Sequence, residues 1–356
     1  MNVLKSKKGR VLVAMSGGID SSMTLVKLLD EGYDVIGVTL KLVNGSRCCD
    51  IEAQNHAKMV CKKYGVDHYV FDVSKNFEKK VIGYYLDELR AAHTPNPCVI
   101  CNRFLKFDEL FKIAKKLKCD YVATGHYARI KKSNKTGEYE LLKGSDSNKD
   151  QTYYLSFLRN EWLEKILFPL GTIKKENTYK SAKNVGLDFL VQKKESQDLC
   201  FVDDKLRKMF LAEKIGKKPG DIVDEKGKVL GKHDGIHYYT IGQRKGILLS
   251  GGPYFVIGFN VKKNYLIVSN RLSQAALYQS EVYLKNINFI NEPSKFPINV
   301  DAKIRYKQPL SKATLNYDET KKQYFLQFKT PQRAVTKGQI AVFYAGQRCI
   351  GGGVIK

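Results

Sequence analysis

The chain has no run of about eighteen consecutive apolar residues, so no membrane-spanning helix is expected among its 356 residues. A secretory leader is not expected either. Met1-Asn2-Val3-Leu4-Lys5-Ser6-Lys7-Lys8 is polar and runs straight into a strand-like segment, which points to a cytoplasmic protein. Acid is scarce: 36 Asp and Glu stand against 61 Lys and Arg, a formal charge of +25. A polyanionic partner fits that excess, nucleic acid ahead of membrane because no basic amphipathic anchor stands out, although a lysine-rich proteome would give the same composition. No internal repeat or low-complexity tract is visible. The eight cysteines, at 48, 49, 61, 98, 101, 119, 200 and 349, therefore read as reduced thiols and not as a disulfide framework. Cys61 and Cys119 belong to apolar-periodic segments and Cys349 lies in Gln347-Arg348-Cys349-Ile350; packing is the expected role of all three.

At this length one core is not enough, and two or three domains are expected. Strand-like runs at Arg10–Met15, Asp34–Leu42, His68–Val73 and Asp120–Thr124 alternate with helix-like runs at Ser22–Glu31, Ile51–Tyr64, Asn76–Leu89 and Phe104–Lys116. This alternation predicts an α/β domain with a doubly wound parallel sheet, whose ligands bind at the carboxyl ends of the strands. Two prolines in three residues make Ala91–Cys98 irregular. Further helix is expected around Gln151–Leu158 and Lys175–Val185, and a tight turn at Asn134–Gly137. From Gly220 short β-rich runs take over, at Tyr238–Ile241, Tyr254–Phe259 and Tyr265–Ser269. After about 276 the pattern is almost purely strand: Val282–Leu284, Ala302–Tyr306, Ala313–Tyr317, Gln323–Phe328, Gln339–Tyr344 and Cys349–Ile355. The expected division is 1–205 for the α/β domain, 206–275 for a small β-rich domain and 276–356 for an antiparallel β-barrel.

The most informative stretch is Ser16-Gly17-Gly18-Ile19-Asp20-Ser21, between the first strand and the first helix. Such a turn offers backbone N–H groups and the positive end of a helix to an anion, and Gly17 and Gly18 let the backbone approach a phosphate closely. Ser16, Ser21 and Ser22 add hydroxyls, and Asp20 can hold a metal ion or brace the turn. The Gly-Lys-Ser/Thr of a Walker A loop is missing. The turn resembles instead the pyrophosphate loop of ATP-pyrophosphatases, which split ATP between the α- and β-phosphates and leave AMP on a substrate oxygen.

Cys98-Val99-Ile100-Cys101 precedes the helix expected to begin near Arg103, which would put Cys101 at a helix N-terminus, where thiolate is favoured. A thioredoxin-type pair would show an aromatic before it and Gly-Pro within it; neither is present. A structural zinc site needs four ligands, and there is no second Cys-x-x-Cys. A third reading is a nucleophile working with a distant cysteine. Cys200, in the polar context Glu195-Ser196-Gln197-Asp198-Leu199-Cys200-Phe201, is the obvious partner.

Taken in order, Ser16–Ser21, Thr94-Pro95-Asn96-Pro97-Cys98-Val99-Ile100-Cys101-Asn102, Lys106-Phe107, Ala123-Thr124-Gly125-His126-Tyr127, Lys149-Asp150-Gln151, Ser196–Phe201, His237–Gly246 and Gly351-Gly352-Gly353 resemble the tRNA-specific 2-thiouridylase family. The resemblance implies an enzyme that adenylates O2 of the wobble uridine 34 with ATP and Mg²⁺ and replaces that oxygen by sulfur, releasing AMP and pyrophosphate. It implies ATP contacts at Ala14, Met15, Ser16, Gly17, Gly18, Ile19, Asp20, Ser21, Leu40 and Gly125. It implies target-base contacts at Asn96, Pro97 and Cys98, with the base extruded from its loop. It implies tRNA contacts at His126, Lys149, Asp150, Gln151, Arg305, Tyr306 and Gln339; Arg305 and Tyr306 offer a charge for phosphate and a ring for stacking. Cys200 would carry the persulfide, and Cys101 would be the nucleophile that closes a transient disulfide with it. The tRNAs implied are those for Lys, Glu and Gln, and the sulfur donor a cysteine desulfurase acting directly or through a relay.

One position departs from the pattern. Many family members carry Asp where this chain has Cys98, and a thiol titrating near pH 8.5 does not copy a carboxylate base. Three cysteines where persulfide transfer needs two raise a second route, a [4Fe–4S] cluster held by Cys98, Cys101 and Cys200 with one iron open to hydrosulfide. The roles of Cys48 and Cys49 stay open. Two rivals are another ATP-pyrophosphatase of the lysidine, GMP or argininosuccinate synthetase type, which needs no paired cysteines, and a non-catalytic basic RNA-binding protein.

Overall fold

The computed structural model describes residues 8–43, 51–191, 199–202, 205–270 and 277–356. Cys48, Cys49, Glu195, Ser196, Gln197 and Asp198 lie outside the described residues. Five parallel strands form the first sheet: β1 (Arg10–Ala14), β2 (Asp34–Lys41), β3 (His68–Asp72), β4 (Tyr121–Ala123) and, after the antiparallel hairpin β5 (Ala128–Lys132) and β6 (Tyr139–Lys143), β7 (Ile166–Leu167). Their order is β3-β2-β1-β4-β7. The chain runs outward from β1 to β3 on one side and resumes at β4 on the other, so the carboxyl end of β1 is the switch point where such sheets open a crevice. Val11, Leu12 and Val13 are fully buried, because helices cover both faces of the sheet.

Helix α1 (Ile19–Asp30) begins three residues earlier than the apolar spacing suggests. The polar triplet Asp20-Ser21-Ser22 forms its first turn, with Ser22 N–H returning to Gly18 C=O at 3.2 Å. Helix α2 (Ile51–Lys63) packs across β2 and β3. The larger revision concerns residues 97–116. Helix begins at Pro97, not near Arg103: Pro97–Cys101 is helical, a π-turn follows at Asn102–Lys106, and Phe107–Lys116 completes it. Asn96 is the N-cap, its side chain accepting from Val99 N–H at 3.4 Å, and Pro97 occupies the first helical position, where it loses no hydrogen bond. The prolines therefore start a helix within the stretch expected to be irregular. Cys98 lies in the first helical turn and Cys101 beyond it, so the helix-terminus argument belongs to Cys98.

Further along, β8 (Gly220–Val223), β9 (Val229–His233), β10 (Phe255–Asn260) and β11 (Tyr265–Ser269) form a four-stranded sheet in the order β10-β11-β8-β9. Tyr238–Ile241, expected as strand, is instead a 3₁₀ turn at Ile236–Tyr238 followed by irregular chain. Finally β12 (Tyr278–Phe289), β13 (Ile298–Lys303), β14 (Ser311–Asp318), β15 (Gln323–Arg333), β16 (Ile340–Ala345) and β17 (Arg348–Ile355) close an antiparallel six-stranded barrel through the β12–β17 pairing. In β13 the period-2 pattern buries Val300 and Ala302; it continues through Ile304, but the strand stops at Lys303. Arg305 and Tyr306, expected at a strand end, therefore lie on the loop that follows. The hairpin β5–β6, inserted in the first domain, pairs with β17 at Arg348↔Leu142 and Cys349↔Leu141 and ties the parallel-sheet domain to the barrel.

Candidate functional site

A cavity of about 230 Å³ opens at the carboxyl ends of β1, β2 and β4. Of the ten residues singled out for nucleotide, Ala14, Met15, Ser16, Asp20, Ser21, Leu40 and Gly125 line it, while Gly17, Gly18 and Ile19 build the turn that shapes it. Gly17 has φ +71°, and a Cβ there would run into the backbone of Ala53 in α2. A Cβ on Gly125 would reach within 2.9 Å of Asp20. These two glycines thus serve close packing inside the protein, whereas Gly18 faces open space, with only Ser16 Oγ nearby at 3.6 Å. At the N-cap of α1 Gly18 brings no capping side chain, so the first N–H groups of the helix remain available to an anion. The Ser21 hydroxyl donates to Gly18 C=O at 2.9 Å and accepts from Ser16 N–H at 3.2 Å, which fixes the turn.

Sequence reasoning left Asp20 between two roles; the structure shows it bracing the loop. Lys175 Nζ lies 2.7 Å from both carboxylate oxygens, and the Tyr127 hydroxyl donates to Oδ1 at 2.8 Å. The Lys175 side chain is 6% exposed and also sits over the Tyr127 and Tyr179 rings. Lys175 was not singled out by the sequence, although it opens the helix Lys175–Asn184 and stands in the Thr172-Ile173-Lys174-Lys175 run. Lys106, on the π-turn, is the cation on the cavity wall, while Lys175 stands behind it, paired with Asp20. The apolar wall of Val38, Leu40, Leu42 and Leu110 suits a purine ring. His126 also lines this cavity, stacked on Phe107 with Nδ1 2.7 Å from Thr124 Oγ1. Burial and the Lys106 ammonium push its pKa down to about 3, so the imidazole is neutral.

The thiols lie beside this cavity. Cys101 is buried in an apolar cluster with Leu42, Val73, Phe77, Val81 and Leu105, and Cys200 and Phe201 pack against the same cluster. Leu42 belongs to both the thiol cluster and the nucleotide cavity. The Phe201 ring meets Phe77 edge-on at 5.8 Å and Tyr85 at 5.5 Å. Cys98 is half-buried and is an electrostatic neighbour of Tyr153 and Tyr154. Among the described residues no three of His, Cys, Asp and Glu form a set that could hold a metal ion. Cys101 and Cys200 share the apolar cluster, and Cys98, three residues before Cys101 on the same short helix, lies among tyrosines. No disulfide joins the described cysteines. Cys61 and Cys349 are buried and Cys119 half-buried; burial pushes the Cys61 thiol up to about 12 and Cys119 to about 11.

A second, larger cavity of about 1110 Å³ lies between the first domain and the barrel. Lys149, Asp150, Gln151 and Tyr306 line it, joined by Arg129, Lys143, Lys303 and Lys307, which makes it strongly basic. Asp150 is buried and spends Oδ1 on the N–H groups of Gly144 and Thr152, bracing its loop. Tyr306 packs on Tyr154 with ring centroids 4.4 Å apart. Arg305 turns inward: its Nη2 donates to Ala334 C=O at 2.8 Å, to Ile241 C=O at 3.3 Å and to Thr336 Oγ1 at 2.5 Å. Gln339 Nε2 donates to Thr94 C=O at 2.7 Å, strapping the loop before Asn96-Pro97-Cys98 to the barrel. Asn96 also pairs with the Tyr153 hydroxyl, which itself donates to Ile340 C=O at 2.9 Å. Arg305 Nη2 and Gln339 Nε2 thus donate within the protein, and His126 turns Nδ1 to Thr124 while lining the nucleotide cavity.

A glycine turn capping α1 at the switch point of a parallel sheet, with one lysine and an apolar wall, defines a nucleotide-binding domain of the HUP class. Residues 9–204 match the model described as tRNA methyl transferase HUP domain, 208–270 the tRNA methyl transferase PRC-barrel domain and 279–355 the aminomethyltransferase β-barrel domain. The tRNA-specific 2-thiouridylase MnmA of Clostridium perfringens is 41% identical over 98% of this chain and 99% of its own length. The protein of the same name from Clostridioides difficile is 42% identical over 98% of each. The chain belongs to the tRNA-specific 2-thiouridylase family. A solved U34-tRNA thiolase, NcsA from Methanococcus maripaludis with its [4Fe–4S] cluster, overlaps 60% of this chain and 68% of its own at 19% identity and a TM-score of 0.35, too little to carry an argument.

Proposed function

We propose that this protein 2-thiolates tRNA at the wobble uridine, using ATP to activate the uracil oxygen. Uracil O2 is a poor leaving group; adenylation replaces it with AMP. The residues fit the nucleotide. The α1 N-terminus and the Ser16–Ser21 turn cradle phosphate, Lys106 supplies positive charge on the cavity wall, and Leu40 lies along the base. Mg²⁺ keeps several waters and is held through one or two carboxylates together with the phosphates; among the described residues that line the cavity Asp20 is the one carboxylate, shared with Lys175, and the ion would neutralise charge on the leaving pyrophosphate. The reading keeps three domains, 1–205, 206–275 and 276–356, and a cytoplasmic setting. Among the described residues no helix is long and apolar enough to cross a membrane.

In the second step Cys200 carries sulfur as a persulfide delivered by a donor such as a cysteine desulfurase or its relay. The terminal sulfur attacks C2 and the C2–O bond breaks with its electrons on AMP. Cys101 thiolate then attacks Cys200 Sγ, so that the Cys101–Cys200 disulfide forms and the 2-thio group leaves; a cellular thiol reduces the disulfide for the next turnover. Asn96, Pro97 and Cys98 contact the extruded base. Lys149, Asp150, Gln151 and Tyr306 contact the tRNA, whose isoacceptors are those for Lys, Glu and Gln. His126, Arg305 and Gln339 contact the tRNA as well. A [4Fe–4S] route is the lesser reading, because persulfide transfer needs only the two thiols that share the apolar cluster.

The observation that carries this reading is the shared wall at Leu42: the phosphate turn serves one side and the Cys101–Cys200 cluster the other. Cys101→Ser and Cys200→Ser test it. Each variant should release pyrophosphate in the presence of tRNA yet form no 2-thiouridine. Full thiolation by both would reject sulfur transfer through these residues and favour an ATP-pyrophosphatase that delivers another atom.

A further inference from the structure

The two cavities meet at one side chain. Gln151 lines both the nucleotide cavity and the basic cavity between the domains. It is held there by three of its own polar atoms. Its Oε1 accepts from Tyr127 N–H at 2.9 Å, its N–H donates to Tyr127 C=O at 3.0 Å, and its C=O accepts from Tyr154 N–H at 3.0 Å. Those bonds fix the amide's orientation: with Oε1 committed to Tyr127, Nε2 is the group left to serve the junction. The same partners reach every other part of the site. Tyr127 donates to Asp20 of the phosphate loop. Tyr154 packs on Tyr306 in the basic cavity, and its C=O accepts from Asn102 Nδ2 at 3.1 Å, next to Cys101.

From this placement we propose that Gln151 is a catalytic residue of the adenylation step, donating from Nε2 to the oxygens that pass between the two cavities. A nucleotide on the Ser16–Ser21 turn and a nucleobase entering past Tyr154 and Tyr306 would meet beside this side chain, the described residue that lines both cavities. The reacting pair is an ATP α-phosphate and a pyrimidine carbonyl oxygen. In the step, the O2–P bond forms as the bond from the α-phosphorus to the bridging oxygen breaks, the electron pair leaves with pyrophosphate, and the N3 proton passes to solvent. Gln151 transfers no proton; its amide N–H meets the charge that develops on the non-bridging phosphate oxygens and aligns the carbonyl. A fixed neutral donor of this kind is worth about a hundredfold in rate.

The inference rests on the adenylation reading, and the test separates the two. Gln151→Glu keeps an oxygen for Tyr127 N–H and nearly the same volume but replaces the donor with an acceptor. Gln151→Asn keeps both groups and draws the donor back by one methylene. Pyrophosphate release is measured with ATP, Mg²⁺ and unmodified tRNA, alongside tRNA binding by filter retention and thermal unfolding. The expected result is a fall in kcat of about a hundredfold for Gln151→Glu and at least about tenfold for Gln151→Asn, with KM for ATP and tRNA affinity within about threefold of wild type. A change confined to tRNA affinity or KM would overturn the proposal and leave Gln151 a binding contact; so would wild-type kcat in Gln151→Asn, even if Gln151→Glu failed to fold. A wild-type enzyme that released no pyrophosphate with tRNA would sink the adenylation reading itself.

Discussion

The nucleotide cavity and the thiol cluster share Leu42 but are built from opposite materials. The first joins an apolar wall to a polar turn that is already assembled: Asp20 is held by Lys175 and Tyr127, Ser21 ties the turn, and the α1 N-terminus stands open to phosphate. The second is dry, with Cys101 enclosed by Val73, Phe77, Val81 and Leu105. Preorganised dipoles suit a step in which charge develops on phosphate and leaves with pyrophosphate. An apolar enclosure suits a step that must keep water from hydrolysing an adenylated base and must keep a persulfide from reacting with other thiols. The difference teaches that the cavity and the thiol cluster are adjacent but separately constructed, so that, on the proposed function, each step can be damaged alone.

Asp20→Ala should break the comparison on the polar side most severely. It strips the loop of its brace and leaves the Lys175 ammonium buried without its carboxylate, a loss of about 3 kcal/mol in stability. Pyrophosphate release should fall at least about a thousandfold. Calorimetry and a pyrophosphate assay check both numbers. On the dry side, Leu105→Ala hollows the thiol cluster and should cost about 3 kcal/mol. ATP affinity should hold, while Cys101 becomes more quickly alkylated by iodoacetamide; unchanged alkylation would mean that the cluster does not shield the thiol. Smaller again is Arg305→Ala, which removes the donor from two carbonyls and a hydroxyl and should cost about 2 kcal/mol in urea unfolding. Arg305→Lys should recover only part of it, since one ammonium cannot reproduce the guanidinium's fork. If Arg305→Ala instead weakened tRNA binding with stability intact, its surface role would outweigh the clamp.

The mildest prediction concerns His126. Its folded pKa, about 3, lies below the unfolded value near 6.5, so the unfolded chain binds the extra proton between those limits. Its contribution to stability is therefore complete above pH 6.5 and declines as pH falls from 6.5 towards 3. The melting temperature of His126→Gln should lose that part of the acid dependence, and the wild-type rate of pyrophosphate release should show no inflection from His126 between pH 6 and 9.

Much of the phosphate side was legible in the sequence, because a strand, glycine turn and helix start are contiguous and their chemistry is local. The barrel was legible from period-2 patterning, as in Val300 and Ala302. What escaped the sequence depends on contacts across the chain. Lys175 reaches Asp20 over 155 positions, and Gln339 reaches Thr94 over 245. Nothing local reveals that Ile241 and Ala334 present carbonyls to Arg305. The helix start at Pro97 was hidden for a different reason: Pro-Asn-Pro reads as a breaker unless Asn96 is recognised as an N-cap that makes the second proline harmless.

The central claim is that sulfur enters tRNA through an ATP-activated uridine and the Cys101–Cys200 pair. Mass analysis of the wobble nucleoside tests it most directly, after incubation of the wild-type protein with ATP, Mg²⁺, a cysteine desulfurase with cysteine, and unmodified tRNA. The account predicts exchange of one oxygen for one sulfur at uridine 34, dependent on ATP and abolished by Cys200→Ser. A wobble uridine left unchanged while ATP is split, or thiolation that persists without Cys200, would contradict it.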